Sequence, residues 1–312
     1  MSILTLTLNP SIDHILIAES ANPGEKNILA SSATFYGGKG INAAFTLGKL
    51  GISACTCGFI GQDDLAGLQE KLNHSGIRPR MTKIRNKTRH TFKVMQSGGG
   101  KDTEYNEPGE AISITQMDAL MVYLDDAIRD CKWLILSGSI PRGVPVDFYA
   151  TLIQQCNGRG IKTILDTSGE ALKNSIHASP TVVRINSDEL HEIFPECGRG
   201  MDGMQSALAE LHQDGIPYCA VSLGEDGALG FDGEQFINVR VPKVRTQSLT
   251  GAGDAMTAGI VASLNSGRSF AEALRYSAAL ATASTLKMEP GDFDLDDFTD
   301  IYERTTIVQS VG

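Results

Sequence analysis

The chain has 312 residues, 41% of them apolar, and a formal net charge of −10 at pH 7. This length and composition suit one large globular domain or two smaller ones with a sizeable core. The acidic balance gives no support to a nucleic acid or an anionic membrane as a partner, although a locally basic pocket is allowed. No segment is long and apolar enough to predict a membrane span.

The amino-terminal segment and the cysteines favour a cytoplasmic location. The first residues lack a basic segment, and the apolar run ends at Leu8, so we expect no signal peptide. The six cysteines form no C-x-x-C pair, which favours buried reduced thiols over disulfides or zinc. The six histidines show no metal-ligand spacing.

Strand-like and helix-like segments alternate along most of the chain. Strands are predicted at residues 3–8, 54–60, 133–136, 163–166, 182–185 and 219–223. Helices are predicted at residues 40–50, 64–74, 117–128 (with Thr115 as N-cap), 146–157, 203–214, 251–264 and 271–286. This alternation predicts a single α/β domain with a mostly parallel sheet and helices on both faces.

Two stretches break the helical rhythm, approximately residues 13–35 and 88–106. Both resemble short strands, and the second contains a glycine-rich turn at residues 97–100. We interpret them as a small β-layer inserted into the main domain, where it would act as a lid.

The strongest local motif is the turn Thr250-Gly251-Ala252-Gly253-Asp254, which opens directly into a predicted helix. Such a turn leaves backbone N–H groups unpaired at the positive end of the helix dipole, so it can hold an anion. Asp254 places a carboxylate beside it, and phosphoryl transfer needs both a donor cluster and a base. From this motif alone, an ordinary helix start with a dipole-matching aspartate is a comparable interpretation.

A second glycine cluster, Gly37-Gly38-Lys39-Gly40-Ile41-Asn42, also opens a helix. Gly37 and Gly38 would let a sugar approach the backbone. Lys39 and Asn42 could hold a phosphate and hydroxyl groups. The alternative is a tight turn with no binding role.

Two further motifs follow predicted strands. Asn186 and Glu189 share a face if a helix starts there, and they could orient a hydrated magnesium ion. On its own, the pair more often forms a helix capping box. Ser222, Gly224 and Gly227 could bind nucleotide phosphate at a strand end, or form a plain hairpin turn.

Two nucleotide-binding patterns are excluded. Residues 198–203 match G-x-G-x-x-G, but no strand precedes them, so the dinucleotide context is missing. The sequence also lacks G-x-x-x-x-G-K-[ST], which excludes a P-loop kinase.

Together these motifs resemble the PfkB carbohydrate kinases of the ribokinase-like superfamily, in the same order over essentially the whole chain. Residues 37–42 resemble that family's amino-terminal motif, residues 250–254 its carboxyl-terminal motif, and residues 186–189 its N-x-x-E motif. The 1-phosphofructokinase and tagatose-6-phosphate kinase branch is indicated by residues 7–13, Lys39, Thr88-Arg89 and residues 137–141.

The resemblance implies a ribokinase-like fold with a β-sheet lid, ATP and Mg²⁺ as cofactors, and a phosphorylated ketohexose as acceptor. In this scheme Asp254 is the catalytic base, and the N–H groups of Gly251, Ala252 and Gly253 stabilise the transferred group. The implied acceptor ligands are Asp13, Gly37, Gly38, Lys39, Asn42, Arg89 and Ser139, with Lys26 assisting. The implied nucleotide ligands are Asn186, Ser222, Gly224, Gly227, Gly251 and Gly253, and Glu189 is the implied magnesium ligand.

Fructose 1-phosphate is the preferred acceptor because residues 103–109 resemble the 1-phosphofructokinase lid. Tagatose 6-phosphate is the alternative, followed by 6-phosphofructokinase activity, another PfkB sugar kinase activity and a non-catalytic sugar-phosphate sensor. The lid suggests a homodimer. Two departures leave the sugar open: Leu249 stands where the family has threonine, and Arg184-Ile185 stand where it has Lys-Pro.

Overall fold

The computed structural model describes residues 3–20, 22, 24–73, 75–85, 87–96 and 102–309. The glycine-rich turn predicted at residues 97–100 lies outside the described residues. None of the described helices is both long and apolar enough to cross a membrane.

The strands and helices are numbered here in chain order. The strands are β1 (Ile3–Thr7), β2 (Ser11–Ala18), β3 (Leu29–Gly37), β4 (Ala54–Gly61), β5 (Arg78–Ile84), β6 (Arg89–Gln96), β7 (Thr103–Asn106), β8 (Trp133–Ser137), β9 (Lys162–Asp166), β10 (Val182–Asn186), β11 (Tyr218–Ser222), β12 (Ala228–Phe231), β13 (Phe236–Arg240) and β14 (Thr306–Gln309). The helices are α1 (Lys39–Lys49), α2 (Leu65–Leu72), α3 (Ile114–Arg129), α4 (Phe148–Asn157), α5 (Gly169–Ser175), α6 (Ser187–Ile193), α7 (Met201–Gln213), α8 (Ala252–Asn265), α9 (Phe270–Ser284) and α10 (Leu295–Arg304).

The main sheet has ten strands within the described residues, in the order β14-β13-β12-β11-β10-β9-β8-β1-β4-β5. Pairing is parallel from β5 across to β11, and antiparallel from β11 to β14. The parallel strands are covered on both faces, which explains runs such as Trp133–Ser137 in which every residue is buried.

Helices cover both faces of the main sheet. Leu4 and Leu6 of β1 face a core shared with α3, α4 and α7, whereas Ile3 faces a second core shared with α1, α8 and α9. A smaller cluster joins α8 and α9 to α10 through Phe298. The predicted mostly parallel α/β architecture is confirmed.

Helix α3 begins earlier than predicted. Its N-cap is Ser113, whose side chain accepts a hydrogen bond from the backbone N–H of Gln116, while the Gln116 side chain accepts one from the Ser113 N–H. The prediction of Thr115 as N-cap was therefore wrong. The apolar stripe starts only at Met117, whereas the capping box that determines the start lies before it.

A separate sheet has the strand order β3-β2-β6-β7 among the described residues. We call it the lid sheet. Strands β2 and β6 pair in parallel, and β3 and β7 flank them antiparallel. These strands cover the two stretches that broke the helical rhythm, so the predicted small β-layer is confirmed. The lid sheet contacts the main body at Lys93, which donates to the Thr250 hydroxyl.

Candidate active site

A cleft of about 820 Å³ lies between the lid sheet and the carboxyl ends of the central strands. It brings together residues from motifs that are far apart in sequence, including Asp13, Lys39, Arg89 and Asp254. Open α/β sheets bind ligands at this edge because the loops after parallel strands converge there. We call this space the acceptor cleft.

Asp254 lies in the first turn of α8, with 6% of its surface exposed. Asn42 of α1 donates its Nδ2 hydrogen to Asp254 Oδ2 at 2.9 Å, which fixes the carboxylate orientation. Burial, together with the charge of Asp166, raises the Asp254 pKa to about 6, although Lys39 and Arg184 oppose this shift. The carboxylate is thus a stronger base than an ordinary aspartate.

The turn before Asp254 requires glycine at position 251 and is closely packed at Gly253. Gly251 is the N-cap of α8 with φ 84°, and a Cβ there would lie 2.6 Å from the backbone nitrogen of Gly291. A Cβ on Gly253 would lie 2.6 Å from Arg184 Nη1. No side chain among the described residues caps the α8 amides, so this turn presents N–H donors at the positive helix end.

Asp166, at the end of β9, bonds to side chains of α1, β10 and α8. Its Oδ1 accepts from Lys39 Nζ at 2.7 Å and from Arg184 Nη1 at 3.5 Å, and its Oδ2 accepts from the Thr257 hydroxyl at 2.7 Å. Burial by itself would raise the Asp166 pKa, but the two cations outweigh it and hold the pKa below its usual value. The buried carboxylate is therefore charged and paired.

Lys39 was predicted to bind a phosphate, and its ammonium group pairs with Asp166 while still lining the acceptor cleft. Burial would lower its pKa, but Asp166 and the more distant Asp254 and Glu189 raise it above the usual value. Lys39 is thus a fixed positive charge in the cleft.

The Arg89 side chain, at the start of β6, lines the acceptor cleft. It donates only to backbone oxygens, those of Asn9 and Glu107, both at 3.4 Å, and no carboxylate of the described residues lies within 4.0 Å of it. Burial lowers the Arg89 pKa, because the guanidinium charge is partly removed from water. Nearby, the Ser139 hydroxyl accepts from Asn9 Nδ2 at 3.0 Å. Such a guanidinium is available to a phosphate.

Other predicted acceptor ligands lie where the lid sheet meets α1. Asp13 accepts a hydrogen bond from the Thr91 hydroxyl at 2.7 Å. Gly37 makes room for Asp13, because a Cβ on Gly37 would lie 1.9 Å from Asp13 Oδ2. Gly38 lines the cleft with φ 118°. Lys26 is exposed and is not part of the cleft lining, so the structure does not bring it to the other ligands.

A second cavity, of about 410 Å³, lies on the other side of the same glycine turn. We call it the nucleotide cleft. Its lining includes the predicted residues Ser222, Gly224 and Gly227, and it shares Arg184 and Gly253 with the acceptor cleft. The glycine turn thus separates two pockets, one on each side, as transfer between two bound molecules requires.

The model for pfkB family carbohydrate kinases matches residues 6–296 of the chain. The chain belongs to this family. A tagatose-6-phosphate kinase from Staphylococcus epidermidis is 27% identical over 310 residues, covering 98% of this chain and 99% of the relative.

Solved structures agree with this pfkB assignment. Phosphofructokinase-2 from Escherichia coli, in complex with substrates and products, is 30% identical with a TM-score of 0.89, covering 97% of this chain and 99% of that one. A possible 1-phosphofructokinase from Thermotoga maritima has a TM-score of 0.87 at 22% identity, covering 99% and 100%, and supports the fold. The protein is an ATP-dependent sugar kinase of the pfkB family.

The two departures from the family pattern have structural explanations in this pfkB kinase. Arg184 pairs with Asp166, donates to the Ser222 hydroxyl at 2.8 Å and packs on Gly253, so it links both clefts. Leu249 lines the nucleotide cleft with 63% of its surface exposed, where it provides an apolar wall.

Asn186 and Glu189 form the capping box of α6. Asn186 Oδ1 accepts from the Glu189 N–H, and Glu189 Oε2 accepts from the Asn186 N–H, both at 2.8 Å. The described residues contain no cluster of three His, Cys, Asp or Glu side chains that could hold a metal. A magnesium ion fits this arrangement through water and substrate phosphates, because only one Glu189 oxygen is outside the cap. The metal role of Glu189 stays a prediction.

Sequence reasoning missed Asp166, Thr257 and Lys93. Asp166 ends the strand Lys162–Asp166, and the strand-end rule that selected Ser222 would have selected it too. Thr257 lies one turn after Asp254 on α8, so the two side chains share one face of the helix. Lys93 is in a lid strand without a distinguishing motif, and only the folded lid brings it to Thr250.

Proposed function

We propose that this kinase transfers the γ-phosphoryl group of ATP to a hydroxyl of a phosphorylated ketohexose, and that the acceptor is fructose 1-phosphate. The observation that carries the proposal is that one cleft contains both a buried carboxylate, Asp254, and a guanidinium, Arg89, that is not paired with a carboxylate of the described residues. Asp254 lies at the glycine turn, and Arg89, from the lid strand β6, lines the same cleft without a carboxylate partner among the described residues. A base and a cation in one cleft suit an acceptor that carries both a hydroxyl and a phosphate.

The proposed chemistry begins with the base. Asp254 accepts the proton of the acceptor hydroxyl, and Asn42 keeps its carboxylate oriented for this step. The N–H groups of Gly251, Ala252 and Gly253 stabilise the negative charge on the transferred group. Lys39, held by Asp166, adds a fixed positive charge nearby. The hydroxyl oxygen forms the new bond to phosphorus as the bond to ADP breaks.

Other parts of the site support ATP and Mg²⁺ as cofactors. The nucleotide cleft would bind ATP through Ser222, Gly224 and Gly227. Bound magnesium supplies charge neutralisation for the ATP phosphates, and Glu189, with Asn186 beside it, would orient its water ligands. Lys93 ties the lid sheet to the turn that carries Asp254, so a closed lid would exclude water and limit ATP hydrolysis.

Tagatose 6-phosphate is the second candidate acceptor. The relative that supports it is the tagatose-6-phosphate kinase, which matches almost the whole chain at 27% identity. The resemblance of residues 103–109 to the 1-phosphofructokinase lid supports fructose 1-phosphate instead.

An acceptor panel tests the proposal. ADP release is measured with fructose 1-phosphate, tagatose 6-phosphate, fructose 6-phosphate and unphosphorylated sugars, with and without Mg²⁺. We expect the highest kcat/KM with fructose 1-phosphate, and no transfer after the metal is chelated. Asp254→Asn is the control, and we expect it to lose about 10²–10⁴-fold in kcat. If none of the acceptors is turned over, a non-catalytic sensor is favoured. If Asp254→Asn keeps near-normal turnover, Asp254 is not the catalytic base.

The location and assembly are also proposed. All six cysteines are free thiols, which fits the expected cytoplasmic location. Leu29 and Tyr105 of the lid sheet and the adjacent Ile28 are exposed by 46%, 62% and 67%, and such apolar exposure favours a homodimer through the lid.

A further inference from the structure

A cavity of about 590 Å³ opens where β8 and β9 begin, whereas the acceptor cleft lies where these strands end. We call it the amino-edge cavity. Its lining contains four basic side chains and no acidic one: Arg129, Lys132, Arg159 and Lys162. In a chain with a formal net charge of −10, four cations around one cavity make a concentrated positive field.

These four charges are not neutralised by ion pairs. Across the described residues, no carboxylate oxygen lies within 4.0 Å of any of their charged nitrogens. Asp130, the residue next to Arg129, is exposed and does not line the cavity. An anion entering the cavity would therefore not have to displace a carboxylate.

The backbone holds the basic residues close together. The Lys162 N–H donates to the Lys132 carbonyl oxygen at 3.0 Å, which joins the two loops that carry the cations. The Lys162 ammonium lies over the Trp133 ring, 5.5 Å from its centroid, and the ring itself is buried. Gly160 turns the second loop with φ 69° and leaves open space beside it.

Compensation of helix dipoles does not explain all four cations. Helices α3, α4 and α8 all end near this cavity, and a basic residue in a last turn stabilises a helix. Arg129 is in the last turn of α3, but the last turns of α4 and α8 contain no basic residue. Arg159 lies two residues after α4 and can also interact with the α4 dipole, whereas Lys132 lies three residues after α3 and Lys162 is the first residue of β9.

We propose that the amino-edge cavity binds a small molecule that carries two or more phosphate groups. Two guanidinium and two ammonium groups match three to four negative charges, and arginine binds phosphate oxygens in a bidentate manner. The cavity shares no lining residue with the acceptor cleft or the nucleotide cleft. The ligand is therefore neither of the two reactants in its reactive position, and the proposal holds whichever sugar is the acceptor.

The intrinsic fluorescence of Trp133 provides a direct test, because Trp133 is the only tryptophan in the sequence and lines this cavity. The full chain is titrated at constant ionic strength with tripolyphosphate, whose phosphates are linked, and separately with fructose 1,6-bisphosphate, whose phosphates are apart. We expect a saturable emission change with at least one of them. The compound with the lower Kd identifies the phosphate arrangement that the cavity prefers. No saturable change with either compound would overturn the proposal.

Paired variants assign the signal to the cavity. We expect Lys132→Ala/Arg159→Ala to weaken the binding at least about tenfold. The matched control is Lys83→Ala/Arg304→Ala, which removes two exposed cations elsewhere and should bind normally. Equal affinity of the two double variants would overturn the proposal, since the anion would then bind elsewhere. A lower melting temperature of the first variant with unchanged affinity would mean that these cations serve only stability.

Discussion

Asp254 shows how single residues set the chemistry of this kinase. Burial and the neighbouring Asp166 disfavour its charged form, while Lys39, Asn42 and Arg184 favour it. The balance leaves the pKa at about 6, well above the ordinary value for aspartate. The side chain is thus mostly ionised at neutral pH, yet basic enough to take a proton from a hydroxyl group.

This pKa predicts how the rate depends on pH. A protonated Asp254 cannot accept the hydroxyl proton, so kcat/KM should fall as the pH drops through about 6 and level off above it. The measurement is kcat/KM between pH 5 and pH 8 under conditions where the enzyme stays folded. An acidic limb near the ordinary aspartate pKa would contradict the raised pKa and with it the role of burial.

Arg89 is the residue that we propose to bind the phosphate of the acceptor. A charge-assisted hydrogen bond contributes about 1.5–3 kcal/mol, so Arg89→Ala should raise the KM for the phosphorylated acceptor about 10–100-fold. Turnover of an unphosphorylated sugar should change little. Arg199→Ala is the control, since Arg199 pairs with Asp188 on the surface, outside both clefts. An equal loss with both kinds of acceptor would argue against a phosphate contact.

At the scale of elements, the start of α8 lies between two pockets and is tied to β9 and β10. Gly253 is in contact with the Arg184 guanidinium from β10, and Arg184 in turn bonds to Asp166 and Ser222. A small change in the backbone of this turn would therefore alter the geometry of both the acceptor cleft and the nucleotide cleft.

Gly253→Ala tests this dependence. The added Cβ would lie 2.6 Å from Arg184 Nη1, so the guanidinium must shift, which would disturb its bonds to Asp166 and Ser222. We expect kcat/KM to fall at least about tenfold, because displacements near 1 Å at a reacting centre can cost about 10²-fold. Gly200→Ala is the matched control, since a Cβ there meets no atom within 4 Å. Unchanged activity of Gly253→Ala would mean that Arg184 does not position the turn.

At the scale of the whole molecule, the lid sheet and the main body meet only if distant segments fold together. Lys93 of β6 contacts Thr250 before α8, whereas Asp13 of β2 bonds to Thr91 of β6 within the lid sheet itself. The exposed apolar residues of the lid remain without a partner in the single chain described here. Burying them against a second copy would remove this surface from water.

Homodimer formation is measured by light scattering after size-exclusion chromatography. We expect the wild-type mass to be twice that of one chain. Tyr105→Asp should shift it toward the single-chain mass, because a charge on the lid face cannot be buried without a partner. Leu295→Asp, at an apolar residue exposed by 58% on α10, should leave the mass unchanged. A monomeric wild type would exclude the lid-mediated dimer.

The sequence predicted the central strands well because parallel strands in a covered sheet must be apolar along their whole length, as residues 133–136 are. It did not predict β5, because Arg78, Pro79 and Arg80 do not follow the apolar pattern of the central strands. β5 is an edge strand, and an edge strand exposes one side to water and tolerates proline. The short strand β12 was also missed, since its glycine-bounded beginning resembles a turn.

By itself the sequence determined the α/β class, the lid segments and the Asp254 turn, because strand and helix periodicity and glycine turns are local properties. Only the tertiary structure decided that Asp166 joins Lys39, Arg184 and Thr257, and that Lys26 stays outside the cleft lining. It also brought together the four cations of the amino-edge cavity. The physical reason is that ion pairs and cavities depend on which strands become neighbours, and sequence spacing does not specify that order.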